Sequence, residues 1–418
     1  MKKGRIIAGG MLAIFLILAA LFIVIQNHPG IGSKFAWRMD EVSAYVRGVF
    51  TPRGGVPVAQ AAGGDQPISG LFLPGGVKSV DNGSSPTSSA SLSVKPIPSK
   101  VTLTPPEFDL KRDIQDWNNC GPATLALALR MYGWKGDQYD IAKMIKPLQT
   151  DKNVNPEEMV SYAEQTQLGL TAVVRVNGSA QTLQRLLAEG IPVIVEESFK
   201  LEQAFWPGDD LWSAHYLLIT GYDQETGEWI TQDSYYGPNR RIRMSLLEQT
   251  WKPFNRLMMV IYTSQQVETV KAILGQDWNT GANFLGAAER SRREVQSNPN
   301  DAFAWFNLGS SLLGMGDAAG AADAFAQARR VGLPQRMLRY EFGPLEAALQ
   351  TGNADDLFLL SNYALERTPN SEEALTYKGW AYWMMKQVDH AEKSFKTALD
   401  VHPGYGPALD GLTATSNY

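Results

Sequence analysis

Asp116-Trp117-Asn118-Asn119-Cys120-Gly121-Pro122-Ala123 runs straight into Thr124-Leu125-Ala126-Leu127-Ala128-Leu129-Arg130-Met131-Tyr132, and Gly133 follows. The second stretch is apolar on all sides, which predicts a fully buried helix. Pro122 suits its first turn, where a missing N–H costs nothing and φ is already set. Gly133 suits its stop. Cys120 then sits at the helix N-terminus, where unpaired N–H groups and the macrodipole favour a thiolate over a thiol. The competing reading is the ordinary fate of a lone cysteine, an inert small apolar side chain in a core.

Cys120 is the only cysteine in 418 residues, so no intramolecular disulfide can form. The four histidines are His28, His215, His390 and His402, and no Cys/His cluster with zinc-site spacing exists. Only His215 falls in the same region as Cys120. It opens an apolar strand, His215-Tyr216-Leu217-Leu218-Ile219-Thr220-Gly221-Tyr222-Asp223. At a strand mouth facing a helix N-terminus, an imidazole can take a thiol proton and later give it to a leaving amine. Alone, it reads as a histidine capping a sheet edge. A second strand, Glu228–Asp233, follows a turn at Asp223–Gly227. Antiparallel pairing brings Asp233 beside His215, where a carboxylate can fix the imidazole tautomer. Its plain alternative is a turn-starting aspartate.

Around these residues the expected helices start at Asn155-Pro156-Glu157-Glu158, a capping box with proline at the first position, and at Gln181, ending at Gly190. Further strands are expected at 170–176, 192–196 and 257–262. Helices precede a strand-rich second half, so the class is α+β.

The combination Asn119-Cys120-Gly121-Pro122-Ala123, His215 to Asp223 and Asp233 to Gly237 resembles the peptidase C39-like family, relatives of the bacteriocin-leader peptidases on a papain-like fold. Val154 to Glu158 and Gly190 to Val195 also fit. The resemblance covers roughly 113–263. It implies Cys120 as nucleophile, His215 as base and acid, and Asp233 as the orienting group. It further implies an oxyanion-binding glutamine, and Gln115 stands five residues before Cys120, with Asn118 or Asn119 as substitutes and the Cys120 N–H as second donor. The leader peptidases are commonly fused to an ABC transporter. Nothing resembling a Walker A motif or a six-helix transporter occurs here, so leader removal does not carry over.

Toward the N-terminus, Lys2, Lys3 and Arg5 precede an uncharged apolar run from Ile6 to Ile25, about the 20 residues a bilayer-crossing helix needs. A cleavable signal peptide competes, but its apolar core is shorter and no small-x-small cleavage site follows. The expectation is an uncleaved single-pass anchor over 1–26 in the cell membrane, basic end in the cytoplasm and the rest outside. Residues 34–50 have apolar positions at helical spacing, fitting a surface amphipathic helix or a helix packed on its own protein. The Gly/Pro/Ser-rich remainder of 27–106 reads as a tether. The expected peptidase-like domain is 107–264. In it, Phe205 to Trp212 is either an aromatic lip of the cleft or a loop packed over the sheet.

In the last third, Gly309, Ala321, Phe325 and Ala328 return as Gly379, Ala391, Phe395 and Ala398, each 70 residues later. That is two tetratricopeptide periods with a small insertion around a degenerate middle unit containing Gly343, Ala364 and Pro369. An all-α solenoid is expected over 282–418, recruiting a protein partner or substrate rather than walling the active site. With a net charge of −5 and no basic stripe, nucleic acid is not an expected partner. The sequence thus predicts a membrane-anchored cysteine peptidase acting on a peptide or protein substrate without metal or cofactor. The same thiol chemistry also serves transamidation. A catalytically inactive peptide-binding scaffold on the same cleft and repeats is the other reading.

Overall fold

The computed structural model describes residues 29–50, 54–58, 96–105, 107–148 and 154–416. The anchor expected at 1–26 and most of the tether lie outside these. Among the described residues no helix is long and apolar enough to cross a membrane.

One compact unit contains the helix Pro29–Phe50 and the stretch 204–209. The helix spans the amphipathic segment expected at 34–50. Met39, Val42, Val46, Val49 and Phe50 are exposed on it. Gly48 lies so close to Trp206 that a Cβ there would stand 2.6 Å from the Trp206 Cβ.

The second unit comprises residues from 54 to 203 and from 210 onward. Its first half is an antiparallel sheet. The strands are β1 (Lys100–Thr102), β2 (Leu170–Arg175), β3 (Val193–Lys200), β4 (Trp212–Asp223), β5 (Glu228–Asp233), β6 (Gly237–Arg243) and β7 (Met258–Thr263). They lie in the order β2-β7-β3-β4-β5-β6, with β1 pairing β4. Period-two side-chain alternation covers both faces. Leu217 and Ile219, with Val193, Val195, Met258 and Val260, join a core with Leu183, Leu186, Leu187 and Trp251. Tyr216 and Leu218, with Ile194, Met259 and Ile261, join the opposite core with Leu125, Leu127, Leu129, Ile141 and Met159. Five strands fall where expected within a few residues, although β3 runs on to Lys200 and β4 begins at Trp212.

Two strands lie outside the expectation. β1 precedes the expected boundary at 107, in what reads as tether, because a three-residue strand between Pro98 and Pro105 carries no usable alternation. It pairs Val101 with Tyr222 and Thr102 with Gly221. A Cβ on Gly221 would meet the Val101 carbonyl oxygen at 2.5 Å, so glycine permits the approach. β6 is an edge strand in which Arg240, Arg241 and Arg243 are among seven residues and only Gly237 and Ile242 are buried. Charged edge strands resist further pairing, and the same charge hides them from hydrophobic patterning.

The second half is helical. The helices Ala302–Gly314 and Ala318–Val331, then Glu372–Met384 and Val388–Val401, are two equivalent antiparallel pairs. Between them lie Met337–Tyr340, Gly343–Gln350 and Ala354–Arg367. Phe325 packs against Gly309 and the next unit's Gly343, and Phe395 against Gly379 and Gly411. Each aromatic ring fills the space that glycine leaves on successive helices, as stacked repeats require.

The two halves share an extensive contact. Trp212 at the start of β4 stacks between Phe254 and Phe303, with ring centroids 5.6 and 6.4 Å away. Lys252 Nζ donates to Asp301 (2.6 Å), Arg256 Nη2 to Glu294 (2.6 Å) and Asn255 Nδ2 to Ser311 Oγ (3.0 Å).

Candidate functional site

The loop before Cys120 is held from below by one buried glutamine that the sequence did not flag. Gln138 Nε2 donates to the carbonyls of Arg112 (2.7 Å) and Ile114 (2.9 Å). Its Oε1 accepts from the Asp116 N–H (2.9 Å) and Asn119 Nδ2 (2.8 Å). Buried Asp113 in this loop receives Arg130 Nη1 at 2.9 Å, which accounts for the arginine in an otherwise apolar helix. The helix Cys120–Arg130 starts where expected, with Asn119 before it, and 121–129 are all buried. Cys120 itself is half-buried.

β4 and β5 pair Asp223 with Glu228 next to the turn, and a register shift lies between Ile219 and Gly221. The far ends converge, and His215 Nε2 lies 3.0 Å from Asp233 Oδ1. The same Oδ1 accepts from the N–H groups of Tyr235 (2.8 Å) and Tyr236 (3.2 Å), while Oδ2 accepts from Arg240 Nη1 (2.9 Å). Four donors on one carboxylate fix its position and its charge. Arg240, which also lies over the Tyr236 ring at 3.9 Å, was not legible because β6 was not. Phe199 and Tyr235 flank the imidazole, with centroids at 5.4 and 6.4 Å.

Since Nε2 is taken by Asp233, Nδ1 is the ring nitrogen left for the thiol, and it is buried with no hydrogen-bond partner of its own. The electrostatics of Cys120 and His215 are mutual. Burial pushes the Cys120 thiol up, but the neighbouring His215 imidazolium, the Tyr216 backbone and the Lys146 charge outweigh burial and leave it below the ordinary range. Burial pushes His215 down, but the Asp233 hydrogen bond and the neighbouring charges of Asp233 and Cys120 lift it to about 10. Burial raises Asp233, yet His215 and the Tyr235 and Tyr236 N–H groups bring it down to about 2. The shifts run in the direction that favours a thiolate facing an imidazolium oriented by a carboxylate.

Gln115 joins the site through a residue next to Asp233. Its N–H donates to the Ser234 carbonyl (2.7 Å), and its Oε1 accepts from Ser234 Oγ (3.0 Å). With the oxygen so engaged, the NH₂ end of the carboxamide is the one turned to other use. Of the two substitutes, Asn119 spends its amide on Gln138, and Asn118 Oδ1 accepts from Arg339 Nη2 of the helical half (2.6 Å). The structure thus bonds His215 to Asp233, ties Gln115 to the adjoining Ser234 and sets Cys120 within the electrostatic reach of His215.

Glu196 feels the charge of Cys120, and Glu341 and Glu157 in turn act on Glu196. Burial holds Glu196 well above the carboxylate range, helped by the charges of Glu341 and Cys120. Burial raises Glu157 to about 7. Burial, then the Glu157 charge, lifts Glu341 to about 8. Glu341 comes from the helical half. Of the Phe205–Trp212 segment expected as lip or packed loop, Trp212 packs between Phe254 and Phe303. Among the described residues no group of three or more His, Cys, Asp or Glu side chains is arranged to hold a metal ion.

Residues 95–259 match the family described as Peptidase_C39 like. Similar solved structures include a C39-like peptidase from Bacillus anthracis, at 16% identity and TM-score 0.31, covering 39% of this chain and 98% of that one. Another is the peptidase domain of Streptococcus ComA, a bifunctional ABC transporter involved in a quorum-sensing pathway, at 17% identity and TM-score 0.26, with coverage of 39% and 98%. A third is MamA protein, at 15% identity and TM-score 0.31, with coverage of 37% and 82%. No curated protein matches the chain in sequence. On the family match, residues 95–259 are a peptidase C39-like domain, and the helices that follow it fit a tetratricopeptide-type solenoid.

Proposed function

We propose that this chain is a cysteine peptidase that cleaves peptide bonds in a peptide or protein substrate, anchored in the membrane by residues 1–26 and facing outward. The observation that carries the reading is the 3.0 Å His215–Asp233 bond at the end of β4, with the remaining imidazole nitrogen left for Cys120 at a helix N-terminus. The Cys120 thiolate attacks the substrate carbonyl carbon, and the carbonyl oxygen becomes an oxyanion received by the Cys120 N–H and the Gln115 amide. Collapse of this intermediate breaks the C–N bond, and the leaving nitrogen takes the proton from His215 Nδ1. Water then attacks the thioester, giving one proton back to His215 and releasing the acid and the free thiolate. Asp233 keeps the imidazole oriented throughout. Removing one oxyanion donor typically costs about 100- to 1,000-fold in rate. Gln115→Ala is therefore expected to lower kcat on that scale.

Peptide-library profiling of the full chain against Cys120→Ala tests the activity. Thiol-dependent cleavage supports the peptidase. Cys120 labelling without any cleavage would favour a peptide-holding scaffold. For the location, protease added to intact cells is expected to cut between Thr51 and Pro106 and release the C-terminal domains. Cleavage only after lysis would overturn the outward topology.

A further inference from the structure

The middle repeat departs from its neighbours where it meets the loop before Cys120. In the outer units the first helix is one rod of 13 residues, Ala302–Gly314 or Glu372–Met384. In the middle unit it is broken into Met337–Tyr340 and Gly343–Gln350, with Glu341 extended at φ −122° and ψ 105°. A local rule broken inside an otherwise regular array marks a place where something other than packing sets the backbone.

The broken turn reaches across to both halves of the site. Arg339 Nη2 donates to Asn118 Oδ1 at 2.6 Å, two residues before Cys120. The Tyr340 hydroxyl pairs with Ser213 Oγ at 2.8 Å, two residues before His215. Arg336 Nη1 donates to the Trp212 carbonyl at 3.3 Å. Asn118 is left-handed (φ +53°), a conformation a non-glycine residue holds only when its surroundings insist. Lys146 Nζ grips its carbonyl at 2.9 Å, and Arg339 grips its side chain.

We propose that this broken helix is a positioning element of the catalytic site: Arg339, acting through Asn118, sets how the chain enters Cys120, and Tyr340, acting through Ser213, sets the start of the strand that carries His215. The proposal rests on the peptidase reading above. The helical half then has a duty at the reacting atoms besides any binding of partners. A misplacement of about 1 Å from a residue remote from the chemistry can cost about 100-fold in rate, so Arg339 has leverage without touching substrate.

The test uses the full chain with three readouts: kcat and KM on a small fluorogenic peptide, the pH midpoint of Cys120 alkylation by iodoacetamide, and the melting temperature. Arg339→Ala is expected to lower kcat about 10- to 100-fold with little change in KM. It is also expected to move the alkylation midpoint upward, as the thiolate loses its alignment with His215. Arg339→Lys, which keeps a cationic donor, should recover part of both effects. Arg339→Ala combined with Asn118→Ala should be no worse than the more damaging single change, because both remove one interaction. An unchanged kcat and midpoint in Arg339→Ala, or losses that multiply in the double variant, would overturn the proposal. If the wild-type chain cleaves no peptide, the peptidase reading fails by itself, and the alkylation midpoints of the same variants still decide the positioning. If Arg339→Ala does not fold, Tyr340→Phe decides: reduced kcat or a raised midpoint at an unchanged melting temperature supports the proposal, and wild-type values of both overturn it.

Discussion

In the first repeat Phe325 of the second helix packs against Gly309 of the first, and in the third Phe395 packs against Gly379 in the same way. The middle repeat arranges the equivalent positions the other way round. Its second helix, Ala354–Arg367, has the same 14 residues as Ala318–Val331 and Val388–Val401. Matching helix starts places Ser361 where the others have Phe325 and Phe395, and matching the ends of the first helices places Leu345 where they have Gly309 and Gly379. Leu345 and Ser361 are both fully buried. The large group has moved from the second helix to the first, and the small one the other way. Ala364 keeps the place of Ala328 and Ala398 because there all three units need a small residue. A solenoid constrains the volume at each contact, not the side that supplies it. The outer units kept the common solution, and the middle unit, whose first helix is broken beside the loop before Cys120, took another.

The largest effect is expected at the proposed nucleophile and base. Cys120→Ala and His215→Ala are each expected to lower turnover at least ~10⁴-fold, and the double variant should lose little more, since the two act as a unit. Steady-state kinetics on a peptide substrate measures this. Activity surviving in Cys120→Ala would sink the mechanism, because the chain has no second thiol.

The contrast between repeats sets the next scale. Phe325→Ala and Phe395→Ala empty a site that glycines on two neighbouring helices were shaped to receive. Each is expected to cost about 3–5 kcal/mol in denaturant unfolding, the usual range for truncating a buried Phe. Ser361→Phe places the same ring in the unit whose first helix offers Leu345 instead of glycine. Overpacking is expected to cost about 1–3 kcal/mol. A stabilised Ser361→Phe would show that the middle unit still has the cavity of the outer ones, and the contrast would fall.

This contrast also explains what could be read from the chain alone. The outer repeats were legible because Gly, Ala and Phe recur at a fixed offset of 70. The middle unit was legible only through Gly343, Ala364 and Pro369, because a swap of large and small residues erases the pattern while preserving the packing. The thiol, imidazole and carboxylate were legible because Cys120 and His215 had no rivals of their type nearby, and one turn determines that Asp233 returns to His215. Gln138 was not, since a glutamine that clamps a loop through four hydrogen bonds leaves no periodic trace. Nor was Arg240, whose strand is too charged to look like one. Arg339 was hidden most completely. It lies 221 residues after Asn118, and only the folded chain joins them.

Asp233 gives a smaller and more graded effect. Its carboxylate is held by four donors, of which Arg240 is half-exposed and comes from the edge strand. Arg240→Ala is expected to leave the His215 bond in place and lower kcat less than 10-fold, whereas Asp233→Ala should fall well below it because the imidazole loses its orienting partner. Equal losses in both variants would mean that the edge strand, not the carboxylate, holds the imidazole.

The smallest expected effect concerns Glu341 and Glu157, through which the two halves of the chain share one electrostatic environment. Glu341 rises to about 8, first through burial and then through the charge of Glu157, which is itself raised to about 7. Both carboxyls hold their protons more tightly in the folded chain than in the unfolded one, whose carboxyls titrate near the ordinary value of 4.5. Between that value and about 8 the folded state therefore binds more protons, and stability falls as pH rises. His215 adds to the same slope, since its stabilising partnership is complete below its unfolded value and fades as pH climbs toward about 10. Glu341→Gln removes one proton-binding group while keeping its shape. Its melting temperature should match wild type near pH 5 and exceed it by a few degrees near pH 9, where wild-type Glu341 must ionise among other acids. Differential scanning at several pH values separates the two contributions, because the His215 part of the slope persists in the variant. A wild-type-like fall between pH 5 and 9 in Glu341→Gln would mean that Glu341 ionises freely, and that the charge of Glu157 does not reach the helical half.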